Sequence, residues 1–262
     1  MTEVTKHEPG SFSWAELATS DPTAAKKFYS GLFGWSIKDN PMGPGPEDIY
    51  TLLQISGKDV AALYKMMKEQ ASQGVPPNWM TYVTVANADE SAKKAKSLGA
   101  TVITEPFDVM DYGRMAVIQD PEGAIFSIWQ PMKHIGVQRV EEPNTMCWCE
   151  LQTWDAAKAG KFYTSLFGWG LKSNDPQYHE IMRGNTPIGG IFPMTPDMKG
   201  IPPHWGIYFQ VADCDGAVSK AKSLGGTVAV PPTDIPKTGR FSVLKDPQGA
   251  FFNVIKLDIQ SA

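Results

Sequence analysis

The chain contains nearly the same nine residues twice, KFYSGLFGW at 27–35 and KFYTSLFGW at 161–169. The likeness extends beyond this motif, because 14–38 aligns with 148–172 without a gap and 14 of these 25 positions are identical. A second block, 76–131, aligns with 202–257. Self-similarity of this length is the signature of a duplicated structural unit. We therefore predict two similar domains, copy one at 12–132 and copy two at 146–258, joined by a linker at 133–145.

Each copy is predicted to contain two units in which a strand, a helix and further strands follow one another. The first helix begins at Asp21-Pro22, where an N-cap residue precedes a proline, and ends at Gly34. The second helix is predicted over 89–98, with Asp89 as its cap. The tight-turn motifs DPEG (120–123) and DPQG (246–249) precede the last strand of each copy. The order β-α-β-β-β thus occurs four times, which is typical of the α+β class.

Charge and apolar content exclude several classes of function. The 24 Lys and Arg residues are scattered and the net charge is -4, so neither nucleic acid nor an anionic membrane is an expected partner. No apolar run approaches the ~20 residues of a membrane span. Three cysteines cannot all pair, which argues against a disulfide framework. We expect a cytoplasmic protein that binds a small molecule, as a monomer with internal pseudo-symmetry or as a homodimer.

The order of elements, with FY…LFGW on the first helix and DPxG before the last strand, resembles the vicinal oxygen chelate superfamily. This superfamily includes glyoxalase I, bleomycin-resistance proteins and extradiol dioxygenases, and the chain resembles most its double-module, glyoxalase-like or hydroxylase branch. The resemblance covers almost the whole chain. It implies a tandem duplication of a glyoxalase-like module, in which two βαβββ units curl their sheets around one cleft. Two clefts are therefore expected.

The resemblance also implies a divalent metal in each cleft, held by His, Gln or Glu on the first and last strands of a unit. The matching positions carry Trp14 and Ser127 in copy one, and Trp148 and Asn253 in copy two. In the second units the first-strand position falls at Trp79 or Met80 and at Trp205 or Gly206. Tryptophan is not a metal ligand, and the hydroxyl and amide side chains are poor ones. We therefore expect no metal and no other cofactor at the family positions.

Two glutamates, Glu16 and Glu150, lie two residues beyond the lost ligand positions, so strand alternation directs them to the same face as Trp14 and Trp148. They are candidate general bases whose pKa an apolar pocket would raise. Alternatively, they are buried carboxylates tied to backbone amides or a neighbouring hydroxyl. A third possibility is that Glu150 forms a compensating metal site with histidines of copy two, His179 and His204.

Aromatic residues dominate what remains on the predicted cleft faces. Such residues either contact an apolar or planar ligand or simply fill the core. The predicted ligand-binding residues are Trp14, Trp79, Ser127 and Trp129 in copy one, and Trp148, Trp205, Tyr208 and Asn253 in copy two. Because copy one has the longer Gly- and Pro-rich loop, at 39–48, it is expected to hold the larger ligand.

The matching arginines Arg114 and Arg240 follow a glycine at the start of a strand. They are predicted to pair with Asp108 and Asp234, with an anionic substrate group as the alternative partner.

Two function classes follow. The first is a metal-free protein of the bleomycin-resistance type that binds a hydrophobic or aromatic molecule. The second is a glyoxalase-like lyase, dioxygenase or hydroxylase acting on a small oxygen-bearing substrate. This enzyme would use Glu16 or Glu150 as the base, or non-standard metal ligands. The missing family ligands favour the first class, and the sequence leaves open whether the chain is an enzyme.

Overall fold

A computed structural model of the chain describes residues 2–45, 48–175 and 177–258, without the side chains of 174 and 175. Copy one contains β2 (Phe12–Thr19), α1 (Pro22–Phe33), β3 (Ser36–Pro41), β4 (Ile49–Ile55), β5 (Lys58–Lys65), α2 (Lys68–Ser72), β6 (Asn78–Thr84), α3 (Ala88–Ser97), β7 (Thr101–Val109), β8 (Gly113–Gln119) and β9 (Ile125–Pro131). Copy two contains β11 (Met146–Thr153), α4 (Ala156–Phe167), β12 (Gly170–Asp175), β13 (Tyr178–Arg183), β14 (Thr186–Pro193), a 3₁₀ turn (Pro196–Met198), β15 (His204–Gln210), α5 (Cys214–Ser223), β16 (Thr227–Ile235), β17 (Gly239–Lys245) and β18 (Phe251–Leu257). Outside the copies, β1 (Thr2–Glu3) pairs with β10 (Arg139–Val140).

Each copy folds into one eight-stranded mixed sheet. The strand order is β3-β4-β5-β2-β6-β9-β8-β7 in copy one and β12-β13-β14-β11-β15-β18-β17-β16 in copy two. The first strands of the two units, β2 and β6, pair antiparallel at the centre of the sheet, and each pairs in parallel with the last strand of its own unit. This arrangement confirms the predicted α+β class and the tandem duplication of a βαβββ module pair.

The predicted cap of the first helix is confirmed, and that of the second is wrong by two residues. Asp21 accepts a hydrogen bond from the backbone N–H of Ala24 at 3.0 Å, and Gly34 ends α1 in the left-handed conformation. The second helix is capped by Asn87, which accepts from the backbone N–H of Glu90 at 3.0 Å. An asparagine in extended conformation caps as well as an aspartate, so two candidates, two residues apart, competed for this position.

Strand β3 was not predicted, and its last three residues lie within what the sequence presents as a loop at 39–48. Its residues are almost all exposed, so no apolar alternation marks it. The strand exists because its backbone pairs with β4 along six residue pairs. Residues 46 and 47 of the predicted loop lie outside the described residues.

The repeated FY…LFGW motif holds the two copies together. Tyr29 of α1 donates to Asp246 in the DPQG turn of copy two (2.9 Å), and Tyr163 of α4 donates to Asp120 in the DPEG turn of copy one (2.8 Å). The second oxygen of each aspartate accepts three backbone N–H groups of its own turn. Around these bonds, aromatic rings of one copy pack on those of the other, including Phe33 on Phe209 at 5.2 Å. Each copy therefore supplies a helix tyrosine that completes the turn of the other.

The linker at 133–145 is attached to copy one by backbone hydrogen bonds. Val137 donates to the Ser13 carbonyl and Gln138 to the Asp59 carbonyl, both at 2.7 Å. The preceding Gly136 has a φ of +108°, and a Cβ there would lie 2.1 Å from the same Ser13 oxygen, so only glycine fits. The linker is thus bonded to β2 and β5, two interior strands of copy one. Among the described residues, no helix is both long enough and apolar enough to cross a membrane.

Candidate functional site

The cross-strand register defines two faces of each sheet. In copy one Trp14 lies opposite Tyr82, and Glu16 lies opposite Met80 and beside Ala62. Side chains in register on neighbouring strands share a face. We call this surface, and its counterpart around Glu150, the cleft face, and we call the opposite surface, which packs on the helices and the other copy, the core face.

On the cleft face of copy one, a carboxylate is held by two tyrosines. Tyr50 donates to Glu16 Oε2 at 2.5 Å and Tyr82 donates to Oε1 at 2.9 Å, while the indole N–H of Trp14 donates to the Tyr50 hydroxyl at 3.1 Å. Burial raises the pKa of Glu16 above its ordinary range, and the two tyrosine hydrogen bonds only partly offset this effect. Every hydrogen bond in this network points toward the carboxylate.

Copy two repeats this network with one change. The indole N–H of Trp148 donates to the Tyr178 hydroxyl at 2.8 Å, and Tyr208 donates to Glu150 Oε1 at 3.0 Å. Gln152 adds a long contact to the same oxygen, at 3.5 Å. Burial is again the main cause of the raised pKa of Glu150. The arrangement is that of a hydrogen-bonded buried carboxylate, and it also provides a proton acceptor in each cleft.

Sequence reasoning missed three of the four tyrosines: Tyr50, Tyr82 and Tyr178. Tyr50 and Tyr178 lie in the stretch where eight extra residues of copy one interrupt the alignment of the copies, so their equivalence was hidden. Tyr82 carries a usable signal, because it aligns with the predicted Tyr208 and lies opposite Trp14.

The placement of Trp79 and Trp205 in the clefts is contradicted by the structure. Trp79 is in register with Leu17, not with Glu16, and Trp205 is in register with Leu151. Both indoles therefore lie on the core face, where they donate to the tyrosines of the repeated motif at 2.9 Å. A shift of one residue along a strand exchanges the two faces, and the sequence left two adjacent positions possible.

The linker covers the cleft face of copy one. The His134 ring packs edge-on against Trp14 at 4.7 Å, and the indole N–H of Trp129 donates to the His134 carbonyl at 2.9 Å. The imidazole also lies 3.4 Å from the carboxylate of Asp59. Trp14 is consequently only 4% exposed, and Ser127 on the same face is fully buried.

The cleft face of copy two is more open. Gly206 lies opposite Glu150, where copy one has Met80. A Cβ on Gly206 would meet only the Asn253 amide nitrogen, at 3.0 Å, and the Glu150 carbonyl, at 3.8 Å. Trp148 is partly exposed, in contrast to its buried counterpart in copy one. Copy two therefore has no side chain at the position that Met80 occupies in copy one, and the Asn253 amide borders this position.

The residues on the cleft faces do not fit the divalent metal of the resembled superfamily. Glu16 offers one carboxylate whose two oxygens already accept tyrosine hydrogen bonds, and its neighbours in register are Ala62 and Met80. Divalent metals need several N, O or S ligands around one point. Over the part of the chain that the structure describes, no group of three His, Cys, Asp or Glu side chains has a geometry suited to a metal ion. No chemical step through a metal follows from these residues.

The alternative metal site of Glu150, His179 and His204 is not assembled. His204 shares the cleft face, since it is in register with Gln152. His179 is in register with Ile191, whereas Glu150 is in register with the preceding residue, Gly190. His179 therefore faces the opposite side of the sheet from Glu150, where it contacts Ser173.

Both predicted arginine ion pairs are confirmed. Arg114 lies 2.9 Å from Asp108, and Arg240 lies 2.9 Å from Asp234. Each arginine also pairs with the first-turn aspartate of the neighbouring helix, at 2.8 and 2.7 Å. These guanidinium groups have carboxylate partners within the fold and need no substrate to balance their charge.

Comparison with known proteins was made by family, by sequence and by structure. A family model described as Glyoxalase/Bleomycin resistance protein/Dioxygenase superfamily matches residues 11–128 and 145–254. The protein named "Putative glyoxylase CFP32" of Mycobacterium tuberculosis (strain CDC 1551 / Oshkosh) is 40% identical over 260 residues, covering 98% of both chains. Anthracycline biosynthesis protein DnrV of Streptomyces peucetius is 35% identical over 273 residues, covering 97% of this chain and 96% of that one.

Solved structures show the same fold at low sequence identity. The Mn(II)-bound glyoxalase from Novosphingobium aromaticivorans superposes with a TM-score of 0.67 at 15% identity, over 95% of this chain and 83% of that one. The 2,3-dioxygenase LapB from Pseudomonas sp. KL28 superposes with a TM-score of 0.64 at 14% identity, over 98% and 93% of the two chains. At these identities the likeness concerns the fold alone.

Proposed function

Because the chain belongs to the glyoxalase/bleomycin resistance protein/dioxygenase superfamily but its cleft residues do not fit a metal, we propose that it is a metal-free binding protein. Its ligand is a hydrophobic or aromatic small molecule that occupies the cleft of copy two. The observation that carries the proposal is the open position at Gly206, beside the partly exposed ring of Trp148.

The walls of this cleft suit a flat, apolar ligand. Trp148 and Tyr208 lie opposite each other across the central strands, and the Tyr208 ring lies 6.3 Å from that of Phe241. Ile255 is in register with Phe241 and extends the same surface. Aromatic and aliphatic walls with a few polar groups are typical of small-molecule sites.

The choice of copy two replaces the expectation that copy one holds the larger ligand. In copy one the ring of His134 occupies the surface of Trp14, and Met80 fills the position of Gly206. A ligand there would have to displace the linker. The longer loop of copy one does not compensate for a covered surface.

The class of ligand is also supported by two relatives. DnrV of Streptomyces peucetius and DauV of Streptomyces sp. (strain C5) are both named anthracycline biosynthesis proteins. Anthracyclines are planar polycyclic aromatic compounds, and a flat aromatic cleft is suited to molecules of this kind. We take from the names only this class of compound.

A second candidate function is enzymatic, and a single observation favours it. Burial raises the pKa of Glu150, and a base with a raised pKa is better matched to proton transfer near neutral pH. A lyase, dioxygenase or hydroxylase of this superfamily would use Glu150 to accept a proton from its substrate. Turnover of methylglyoxal with a thiol is not expected, since the metal ligands for that chemistry are absent from the family positions.

Calorimetric titration with naphthalene-2,3-diol, a planar aromatic probe, tests the binding proposal. Replacing Trp148 with alanine should weaken binding roughly 5- to 150-fold, which corresponds to about 1–3 kcal/mol of lost ring contact. The matched control is Trp154→Ala, which removes an exposed indole outside the cleft and should leave the affinity unchanged. Loss of binding in Trp14→Ala but not in Trp148→Ala would place the ligand in copy one instead.

Elemental analysis of protein purified without chelator tests the metal-free part of the proposal. The expected result is a content of Zn, Ni, Fe and Mn far below one equivalent per cleft. One equivalent per cleft would contradict the proposal and favour the enzymatic alternative.

A further inference from the structure

We infer that the cleft of copy two selects neutral aromatic ligands that carry hydroxyl groups, and that it rejects aromatic carboxylates. Glu150 is the residue that makes this selection, with His204 as a second acceptor. The inference rests on the proposed function and specifies the polar part of its ligand.

The carboxylate of Glu150 has unused capacity to accept hydrogen bonds. Its partners Tyr208, Tyr178 and Gln152 are all donors to it. Because Trp148 donates to the Tyr178 hydroxyl, the Tyr178 proton points to Glu150, and the network holds the carboxylate as an acceptor with about four acceptor positions. A further group that approaches over Gly206 therefore meets an acceptor, and a ligand hydroxyl fits it.

His204 provides a second acceptor on the same face. Its Nδ1 lies 2.9 Å from the Pro202 carbonyl, and since a carbonyl oxygen only accepts, this nitrogen carries the proton. Burial lowers the pKa of His204, which favours the neutral ring. The Nε2 atom of His204 then has a free lone pair. His204 lies two residues before Gly206 on β15, so the two positions share a face. The open position thus lies near two acceptors.

An anionic ligand beside Glu150 would approach two carboxylates. Glu150 and Glu180 lie in one cross-strand row, on opposite sides of Gly190. Lys172 is in register with Glu180 in the same row, and it already pairs with Glu180 at 3.3 Å. Like charges brought together in a partly desolvated cleft repel strongly. An aromatic carboxylate therefore loses affinity, whereas a phenol of the same shape gains a hydrogen bond to a charged acceptor.

Three probes on one aromatic nucleus test the inference at neutral pH: naphthalene-2,3-diol, 2,3-dimethoxynaphthalene and naphthalene-2-carboxylate. Calorimetry on the wild-type protein should give an affinity for the diol about tenfold or more above that for the dimethyl ether, with the carboxylate weakest. The Glu150→Gln variant should reduce the diol preference to within about threefold and strengthen carboxylate binding. Glu105→Gln, a charge change on an exposed strand of copy one, is the matched control and should alter none of the three affinities.

The outcomes separate the inference from the proposed function. Equal binding of diol and dimethyl ether to the wild-type protein, or tighter binding of the carboxylate, overturns the inference and leaves an aromatic binding site in place. A diol preference that survives in Glu150→Gln also overturns it. If none of the three probes binds, both the inference and the proposed function are wrong. The wild-type comparison needs no variant, so it holds even if Glu150→Gln is unstable.

Discussion

At the scale of single residues, the most unusual feature is a buried carboxylate in each cleft without a basic partner. Glu16 accepts hydrogen bonds from the hydroxyls of Tyr50 and Tyr82, which are neutral donors, and the neutral indole of Trp14 assists them. Burying a charge costs several kcal/mol unless hydrogen bonds or a counter-charge compensate it. The raised pKa of Glu16 indicates that the two hydroxyls do not compensate fully. Both copies retain this arrangement, with Tyr208 and Tyr178 around Glu150 in copy two.

The first prediction concerns stability and pH. The pKa of Glu16 is raised by burial above its ordinary value of 4.5, so the folded state holds this proton more tightly than the unfolded state. The stabilisation from this difference is fully present below the pKa that Glu16 has in the unfolded state. It is lost as the pH rises through the higher pKa that Glu16 has in the folded state. Glu16→Gln should therefore be more stable than the wild type at neutral pH, by about 1.4 kcal/mol for each unit of pKa difference, and the gain should shrink toward pH 4.

Urea unfolding of both proteins across about pH 4 to 8 measures this difference. The exposed Glu105→Gln variant is the control, and its difference from the wild type should vary little with pH. A gain in Glu16→Gln that stays constant or grows toward acid pH would contradict the prediction.

The face of the sheet on which a side chain lies could be predicted only where strand alternation was unambiguous. Trp14 and Glu16 are two residues apart within one strand, so their common face followed from the sequence. For Trp79, the adjacent Met80 was an equally good candidate for the cleft, and only the register with Leu17 decides between them. Such a register depends on pairing with a distant strand, which a local pattern does not contain.

At the scale of elements, the linker at 133–145 is a structural component of copy one and not a simple connection. Its backbone donates hydrogen bonds to carbonyl groups of β2 and β5, and His134 covers Trp14. The sequence predicted unequal clefts from the longer loop of copy one at 39–48, whereas in the structure the linker, an element outside the repeat, covers the cleft face of copy one. Because copy two is followed by different residues, alignment of the copies carries no signal of this cover.

The second prediction is that His134→Ala uncovers the cleft of copy one. The indole N–H of Trp129 bonds the His134 backbone carbonyl, so this contact persists in the variant while the imidazole over Trp14 is lost. Calorimetry with naphthalene-2,3-diol should change from one binding event per chain to two, the second about tenfold or more weaker because Met80 still narrows the cleft. The neighbouring exposed Met132 provides the control variant Met132→Ala, which should keep a single event. Two binding events in the wild-type protein would show that the linker does not block the cleft of copy one.

At the scale of the whole molecule, the two copies share one core. The chain of hydrogen bonds from Trp79 to Tyr29 to Asp246 crosses from one copy to the other, and a symmetric chain crosses back. The repeat and the DPxG turns were recognised in the sequence as separate motifs. Their direct contact is a long-range pairing, over 217 residues for Tyr29 and Asp246, and no local pattern contains it.

The third prediction follows from this exchange. Tyr29→Phe removes only a hydroxyl, but it leaves the Asp246 oxygen and the Trp79 indole N–H without their buried partner, so the free energy of unfolding should fall by about 1–3 kcal/mol. Tyr163→Phe should have an effect of the same size. Because each tyrosine belongs to one copy and completes a turn of the other, either variant should lower the midpoint of a single transition of the whole chain.

Urea unfolding followed by far-ultraviolet circular dichroism and by tryptophan fluorescence tests this expectation, since coincident curves identify a single transition. The exposed tyrosine Tyr112 supplies the control, and Tyr112→Phe should leave the midpoint unchanged. Two separated transitions, of which Tyr29→Phe moves only one, would mean that the copies unfold independently. With hydrogen bonds of 2.9 and 2.8 Å and aromatic ring contacts joining the copies in both directions, we expect the halves of the repeat to unfold together.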